Sequence, residues 1–204
     1  MKELRFSVKI AGAAIMSILS VILQSLPPLF LTPWFMRIDL VAVPWILCWL
    51  VFGLEAATLS LFISIPLVGI LGPFAGGWIG AFMKAVASIW MFLVPALVAK
   101  LTKKDLMNDK YFYTLAVVLA IILRDLVCIV FNLYFAIPLF FGMSPEQTLE
   151  FFSNPRFQSF ISSSLGIVGL SAYILEVSFW NTIQGFIDAY VALLSYILVR
   201  KYFH

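Results

Sequence analysis

Long apolar runs recur along the whole chain, separated by short breaks rich in glycine, proline or lysine. A helix that crosses a lipid bilayer needs roughly 20 mostly apolar residues, and 204 residues can hold six such helices with short loops. Only 11% of the residues are charged, whereas an average soluble domain carries roughly 25%. The sequence therefore predicts an all-α, polytopic integral membrane protein, with one transmembrane domain over residues 1–204 and no soluble form.

Six transmembrane helices are predicted from the positions of the breaks. They cover Ser7–Ser25, Asp39–Phe52, Ala56–Leu71, Trp78–Ala99, Tyr111–Phe135 and Leu175–Val199. Prolines interrupt helices because they lack a backbone donor and clash with the preceding turn, so Pro138 is expected to close the fifth helix. Between the last two helices, Met143–Ser164 is expected to be a loop with a short surface helix near Glu146–Phe152. The apolar stretch Leu165–Ile174 is expected to be irregular.

The first loop, Leu26–Arg37, is unusual because it is apolar and aromatic. Exposed loops are normally polar, so this one is expected to fold back over the bundle as a lid. Trp34 and Phe35 lie within it. They are interpreted either as part of an interfacial aromatic belt or as rings that stack on a ligand.

Basic residues orient the bundle. Cytoplasmic segments of membrane proteins carry an excess of lysine and arginine. With the N-terminus inside, nine basic residues lie on the cytoplasmic side: Lys2, Arg5, Lys9, Lys100, Lys103, Lys104, Lys110, Arg200 and Lys201. Only Arg37 and Arg156 lie in outer loops. The pattern predicts a multi-pass protein of the cell membrane with both termini cytoplasmic.

Several functional classes lack the residues they need in this sequence. The chain has no G-x-x-x-x-G-K-[ST] loop for nucleotide phosphates and no His, Cys and carboxylate cluster that could hold zinc. Its one histidine, His204, is the last residue, so no imidazole base lies within the bundle. We therefore expect neither an enzyme nor a metalloprotein. No internal repeat is visible, which argues against an inverted-repeat secondary transporter.

Uncharged amides within the predicted helices are the first candidate site residues. Asn132 lies near the end of the fifth helix, and Asn181 and Gln184 share a face of the sixth at a spacing of three residues. Amides supply donors and acceptors without charge, which suits a flat heterocycle that carries carbonyl groups and ring nitrogens. Hydrogen bonds between helices are the alternative.

Charged residues within apolar helices are the second group of candidates, since they are costly in hydrocarbon. Lys84 is expected either to snorkel or pair with a carboxylate, or to face an outward-opening cavity. Arg124 and Asp125 are neighbours on different faces, and Asp188 is a possible partner of Arg124. Asp39 opens the second predicted helix, where a carboxylate would cap the N-terminus.

Small residues in the first helix allow another helix to approach closely. Ala13 and Ser17 form a small-xxx-small pair, and Ala11 and Ala14 lie beside it. Such pairs serve helix packing in membranes. The partner is either another helix of this chain or a separate membrane subunit.

The chain resembles the substrate-binding S components of energy-coupling factor (ECF) vitamin transporters, in particular the riboflavin-binding branch. The resemblance covers nearly the whole chain. It is most specific in Ile38–Pro44 (IDLVAVP), Asn132–Leu139 (NLYFAIPL) and Phe179–Gln184 (FWNTIQ). Such an S component has six helices, binds its vitamin from outside and does not hydrolyse ATP itself.

The resemblance implies partners and a ligand. A transmembrane coupling subunit and two cytoplasmic ATPase subunits would energise transport, with Ala11, Ala13, Ala14 and Ser17 forming the docking face. Riboflavin would be the transported ligand, and no resident cofactor is implied. Asn132 and Asn181 match the amides that hold the ring in that branch, whereas a lysine is common in the family where this chain has Gln184. From the residues themselves we expect Gln184 to read the polar edge of the ring as well. Leu40, Trp34 and Phe35 are expected to cover the faces of the ring. Lys84 could contact the ligand tail and favour the phosphorylated flavin FMN. Pantothenate, thiamine or folate remain alternatives, as does a stand-alone secondary transporter.

Overall fold

A computed structural model describes residues 4–32, 36–71, 77–103, 106 and 109–203. Helices make up most of this part of the chain. They are α1 (Phe6–Ser25), α2 (Val43–Phe52), α3 (Leu54–Leu71), α4 (Gly77–Ser88), α5 (Trp90–Thr102), α6 (Lys110–Phe131), α7 (Ile137–Phe141), α8 (Pro145–Ser153), α9 (Phe160–Leu165) and α10 (Gly169–Phe203). A π-helical segment, Asn132–Ala136, joins α6 to α7. Two short strands, β1 (Phe30–Leu31) and β2 (Arg37–Ile38), pair antiparallel between α1 and α2.

Five helical stretches of the described chain are long and apolar enough to cross a membrane. They are Phe6–Ser25, Leu54–Leu71, Gly77–Thr102, Lys110–Phe141 and Gly169–Lys201. The expected all-α polytopic membrane architecture is confirmed. The remaining expected span, α2, has only 10 residues, which is fewer than the roughly 20 that a bilayer requires. The expectation of six complete spans therefore stays a prediction.

The short helix α2 lies at the centre of the bundle. Trp45, Ile46 and Cys48 are fully buried, and the Trp45 indole N–H donates to the Ser64 hydroxyl over 2.8 Å. The strand pair comes before α2 in the chain, and Asp39–Ala42, which were expected to be helical, lie between β2 and α2. Asp39 does not cap α2, contrary to expectation, because the helix begins only at Val43 and its N-cap residue has no side-chain bond.

Two further predicted helix boundaries were wrong. Helix geometry continues past Pro138 to Phe141 instead of ending there. The π-helical segment makes this possible, since the Ile137 N–H bonds five residues back to the Asn132 carbonyl and widens the turn that precedes the proline. The last helix begins at Gly169, so much of the stretch expected to be irregular is helical. The expected surface helix is present as α8.

The small residues of α1 pack against α3 within the same chain. Ala13 and Ser17 are buried, and the Ser17 hydroxyl lies 2.9 Å from the Ser60 carbonyl. These two residues are therefore unavailable to a separate subunit, which corrects the expectation for half of the docking face. Ala11 and Ala14 lie on the exposed side of the helix.

The bundle has two chemically different ends. One end carries the lysine-rich segments, including the start of α6 and the end of α10, and is tied by an ion pair of 2.7 Å between Lys9 and Glu55. The strand pair, α8 and α9 lie at the other end. Here Leu133, Phe152 and Tyr173 form a small second core that attaches α8 to α10. We call these the lysine end and the hairpin end.

Candidate functional site

A cavity of about 300 Å³ opens at the hairpin end of the bundle. Its walls come from the last turn of α1, the strand pair, α3, α4, the junction of α6 and α7, and α10. Much of the lining is apolar: Met36, Ala42, Val68, Ile79, Ala81, Met83, Ala87, Ala136, Ile137, Phe140, Phe141, Val177 and Trp180. Its size falls near the lower end of the roughly 300–1,000 Å³ typical of small-molecule sites.

The strand pair and the residues beside it form part of the cavity wall. Phe30 of β1 stacks on Trp180 of α10 with ring centroids 5.2 Å apart. Thr32, which follows β1, and Met36, which precedes β2, line the cavity. The strand pair therefore contacts α10 at Trp180, which also lines the cavity.

Arg37 fastens the second strand to the end of α1. Its guanidinium donates to the Leu26 carbonyl over 2.9 Å and lies 3.9 Å from the Asp39 carboxylate. Burial lowers the pKa of Arg37 from its ordinary value, and the carboxylate of Asp39 opposes that shift.

A polar network forms the floor of the cavity. Lys84 of α4 makes an ion pair with Asp39. The side-chain amide of Gln184 in α10 binds the backbone of Asp39. It accepts from the Asp39 N–H at 3.0 Å and donates to the Asp39 carbonyl at 2.7 Å. Lys84 thus pairs with a carboxylate, as one interpretation expected, and it also lines the cavity. That this cavity opens outward stays a prediction.

The deeper half of the network joins α6 to α10. Arg124 donates to Asp188 over 3.1 Å, as the sequence suggested, and to the Asn181 side-chain oxygen over 3.2 Å. Gln184 donates to Asp188 over 2.7 Å, which links this pair to Asp39. Asp188 is fully buried. Each charged group in this floor has an opposite charge beside it, which is the arrangement that buried ions require.

The charges around the cavity balance. Among the described residues that line it, three are cations and three are carboxylates: Arg37, Lys84, Arg124, Asp39, Glu176 and Asp188. The carboxylate of Glu176 accepts from the Ile161 N–H at 2.9 Å and the Trp180 indole N–H at 2.7 Å. The lining therefore has no excess charge to offer an ionic ligand.

Two of the three expected amides are engaged in this network. Asn181 accepts from Arg124 and donates to the Val177 carbonyl. Gln184 uses both ends of its amide, as described above. Both line the cavity, but they hold helices together, which was the alternative interpretation of their positions.

Asn132 differs from the other two amides. It lies in the π-helical segment and lines the cavity. Its side chain makes no hydrogen bond to any residue that the structure describes. Single π-helical turns within α-helices occur frequently at functional sites, and this one rotates the chain at the cavity wall. Asn132 can therefore offer a donor and an acceptor to a ligand.

Further polar residues of the lining were missed by sequence reasoning, among them Thr32, Ser88, Glu176, Gln24 and Tyr173. Gln24 lies in the last turn of α1 and Tyr173 in the first turns of α10, and both are buried. Tyr173 falls within the stretch that was expected to be irregular, so its face could not be assigned. Gln24 is the one amide in the first apolar run, which is the only signal that could have singled it out.

The remaining candidates lie elsewhere. Leu40 packs against the central core and is not among the residues that line the cavity. Trp34 and Phe35 lie outside the described residues. Asp125 accepts from Thr182 over 3.1 Å, away from the lining.

The arrangement suits the binding of a small, mostly apolar molecule that has a few hydrogen-bonding groups. Its apolar walls would pack against such a molecule, and Asn132 would offer it a donor and an acceptor. A comparison with known proteins adds nothing to this description, since no family model and no curated protein matches the sequence.

Proposed function

We propose that this chain is the S component of an ECF-type vitamin importer and binds riboflavin in the cavity at the hairpin end. The observation that carries the proposal is the combination of an apolar cavity of about 300 Å³ with an amide, Asn132, that has no partner within the described chain. A planar, uncharged heterocycle fills such a space and uses such an amide.

The ring of a flavin has the properties that this lining would select. Its faces are apolar and would lie against side chains such as Met83, Ala87 and Ile137. Its polar edge carries carbonyl oxygens and ring nitrogens, and an amide such as that of Asn132 can pair with both because it donates and accepts. The balanced charges of the floor favour an uncharged ligand over an ionic one.

The proposed orientation places the cavity outside the cell. The lysine end would be cytoplasmic by the positive-inside rule, so the hairpin end would face the vitamin. A transmembrane coupling subunit would contact α1 through its exposed side, which carries Ala11 and Ala14. Two cytoplasmic ATPase subunits would supply the energy for release.

The site is tested by substituting one amide and titrating the vitamin. Riboflavin fluorescence should be quenched on binding to the purified protein in nanodiscs, and Asn132→Ala should weaken the affinity about tenfold for one lost hydrogen bond or more for two. Asn154→Ala is the matched control, because Asn154 is an exposed amide outside the cavity. Equal affinity of all three proteins would refute the assignment of Asn132.

Uptake into vesicles tests whether this chain only binds riboflavin and depends on separate subunits for transport. The chain reconstituted alone should bind riboflavin without accumulating it, and accumulation should require the coupling subunit, the ATPase subunits and ATP. Accumulation driven by an ion gradient with this chain alone would instead establish a secondary transporter.

A further inference from the structure

Asp39 is held in place at each of its polar atoms. Its backbone N–H and carbonyl both bind the side-chain amide of Gln184. One carboxylate oxygen accepts from the Val41 N–H over 3.1 Å, and the other pairs with Lys84. Because the residue is buried, moving the carboxylate would leave these partners without water to replace it. The negative charge of Asp39 is therefore a fixed feature of the cavity lining.

Two cations lie beside this fixed carboxylate. Lys84 pairs with one of its oxygens, and the Arg37 Nε lies 3.9 Å from the same oxygen. Lys84 lines the cavity with 18% of its side-chain surface accessible, against 5% for Asp39. A lysine ammonium sits on a flexible four-carbon stem, so it can turn towards a ligand when no carboxylate holds it.

The third cation of the lining is held more tightly. Arg124 donates to Asp188 and to Asn181, and only 3% of its side chain is accessible. Lys84 is therefore the most accessible of the cations that the described lining contains, and Asp39 is the carboxylate that it contacts.

We infer that Asp39 determines which flavins the cavity accepts, because it holds Lys84 and so keeps that cation from binding a phosphate on the ligand. The inference rests on the proposed function and specifies it. A flavin with an uncharged tail meets a neutral floor. A phosphorylated flavin would bring its negative charge close to a carboxylate that cannot move away, and like charges repel strongly where little water screens them.

The test is Asp39→Asn, titrated with riboflavin and with FMN by fluorescence quenching in nanodiscs. Asparagine has nearly the same shape, and its side-chain oxygen can still accept from the Val41 N–H, but it has no charge to hold Lys84. The ratio of the FMN to the riboflavin dissociation constant should fall at least tenfold, since a hydrogen bond to a charged group contributes that much or more. A merely structural role would weaken both flavins alike and leave the ratio unchanged.

Glu176→Gln is the matched control. Glu176 is also a buried carboxylate of the lining. It accepts from the Ile161 N–H and the Trp180 indole N–H, so neutralising it releases no cation from these contacts. The ratio should stay within threefold of the parent value. A larger shift would overturn the inference, because the total charge of the lining would then set the selectivity.

The double substitution Asp39→Asn with Lys84→Met identifies the cation that is released. Methionine removes the charge and keeps an unbranched side chain. The ratio should return to the parent value or rise above it, because no free ammonium is left to bind the phosphate. A ratio that stays tenfold below the parent value would overturn the role of Lys84.

Unfolding temperatures separate binding from folding. Without ligand, Asp39→Asn should unfold at a lower temperature than the parent, because Lys84 has lost its carboxylate. Saturating FMN should then raise the unfolding temperature more than riboflavin does, since the flavin that binds more tightly stabilises more. Asp39→Ser, whose hydroxyl can also accept from the Val41 N–H, carries the same predictions if the asparagine variant does not fold.

The outcomes distinguish the two proposals. An unchanged ratio in Asp39→Asn, with riboflavin still bound by the unsubstituted protein, overturns the role of Asp39 and leaves the proposed function standing. If neither flavin binds the unsubstituted protein, the proposed function fails and the inference fails with it.

Discussion

Arg124 and Asp188 show how individual residues make a charged interior possible in this protein. Both side chains are almost completely buried, and the pair is held further by Asn181 and Gln184. Removing one partner of a buried ion pair leaves an uncompensated charge, whereas replacing both can be nearly neutral. The pair therefore fixes α6 against α10 beneath the cavity.

Asp188→Asn should destabilise the fold strongly. The loss should be about 3–5 kcal/mol, because Arg124 keeps its charge without a carboxylate. Thermal unfolding in detergent measures it, with Asp125→Asn as the control, since Asp125 is only partly buried and binds a hydroxyl. The double substitution Arg124→Met with Asp188→Leu should recover most of the loss. An Asp188→Asn protein as stable as the parent would contradict this role.

The balanced charges around the cavity give a second prediction for ligand choice. FMN carries about −1.5 to −2 charges on its phosphate at neutral pH, and each lining cation has a carboxylate nearby. We expect FMN to bind at least tenfold more weakly than riboflavin in a competition titration. Equal affinity for FMN and riboflavin would show that Lys84 or Arg37 leaves Asp39 and binds the phosphate instead. The sequence analysis suggested such a phosphate contact for Lys84.

The residues of the site were only partly predictable. Asn132, Asn181, Gln184, Lys84 and Asp39 all line one cavity, because polar residues in apolar helices are placed there by necessity. Whether an amide is hydrogen-bonded within the bundle, as Asn181 and Gln184 are, or has no partner among the described residues, as for Asn132, depends on which helices pack side by side. A single sequence does not contain that information. Tyr173 was missed because it lies in the stretch that was expected to be irregular but belongs to α10.

Gly12 allows α1 to pack closely against the end of α2. A Cβ atom at Gly12 of α1 would lie 2.7 Å from ring carbons of Phe52 at the end of α2. Small residues at membrane helix interfaces allow this contact, so α1 and α2 meet where no larger residue fits.

Gly12→Ala should therefore destabilise the protein by about 1–3 kcal/mol, the usual cost of overpacking. Gly80→Ala is the control within α4, because a Cβ atom there meets nothing within 4 Å and alanine favours a helix over glycine. Unfolding temperatures in detergent compare the two. A Gly12→Ala protein that unfolds at or above the parent temperature would show that the Phe52 ring moves aside without cost.

Helix bounds were predicted well where the length of an apolar run sets them. They were predicted poorly where local backbone geometry sets them. The bounds of α1 and α3 lie within two residues of expectation. The π-helical segment beside Pro138 and the hydrogen-bonded loop that replaces the first turn of the predicted second helix depend on tertiary contacts. Neither has a periodic signal in the sequence.

The molecule as a whole separates the hairpin end, where the cavity opens, from the lysine end, and this polarity predicts its orientation. In a variant with both cysteines replaced by alanine, a cysteine in place of Glu150 should react with a membrane-impermeant maleimide applied to intact cells. A cysteine in place of Lys103 should react only after the cells are permeabilised. Both positions are exposed at opposite ends. The reverse pattern would turn the cavity towards the cytoplasm and exclude capture from outside.

The central claim is that this cavity holds a flavin, and equilibrium titration of the purified, unsubstituted protein with riboflavin tests it most directly. The account predicts saturable quenching with one riboflavin bound per chain. Quenching that rises linearly with protein and never saturates would contradict it, because an apolar surface without a defined site produces that result.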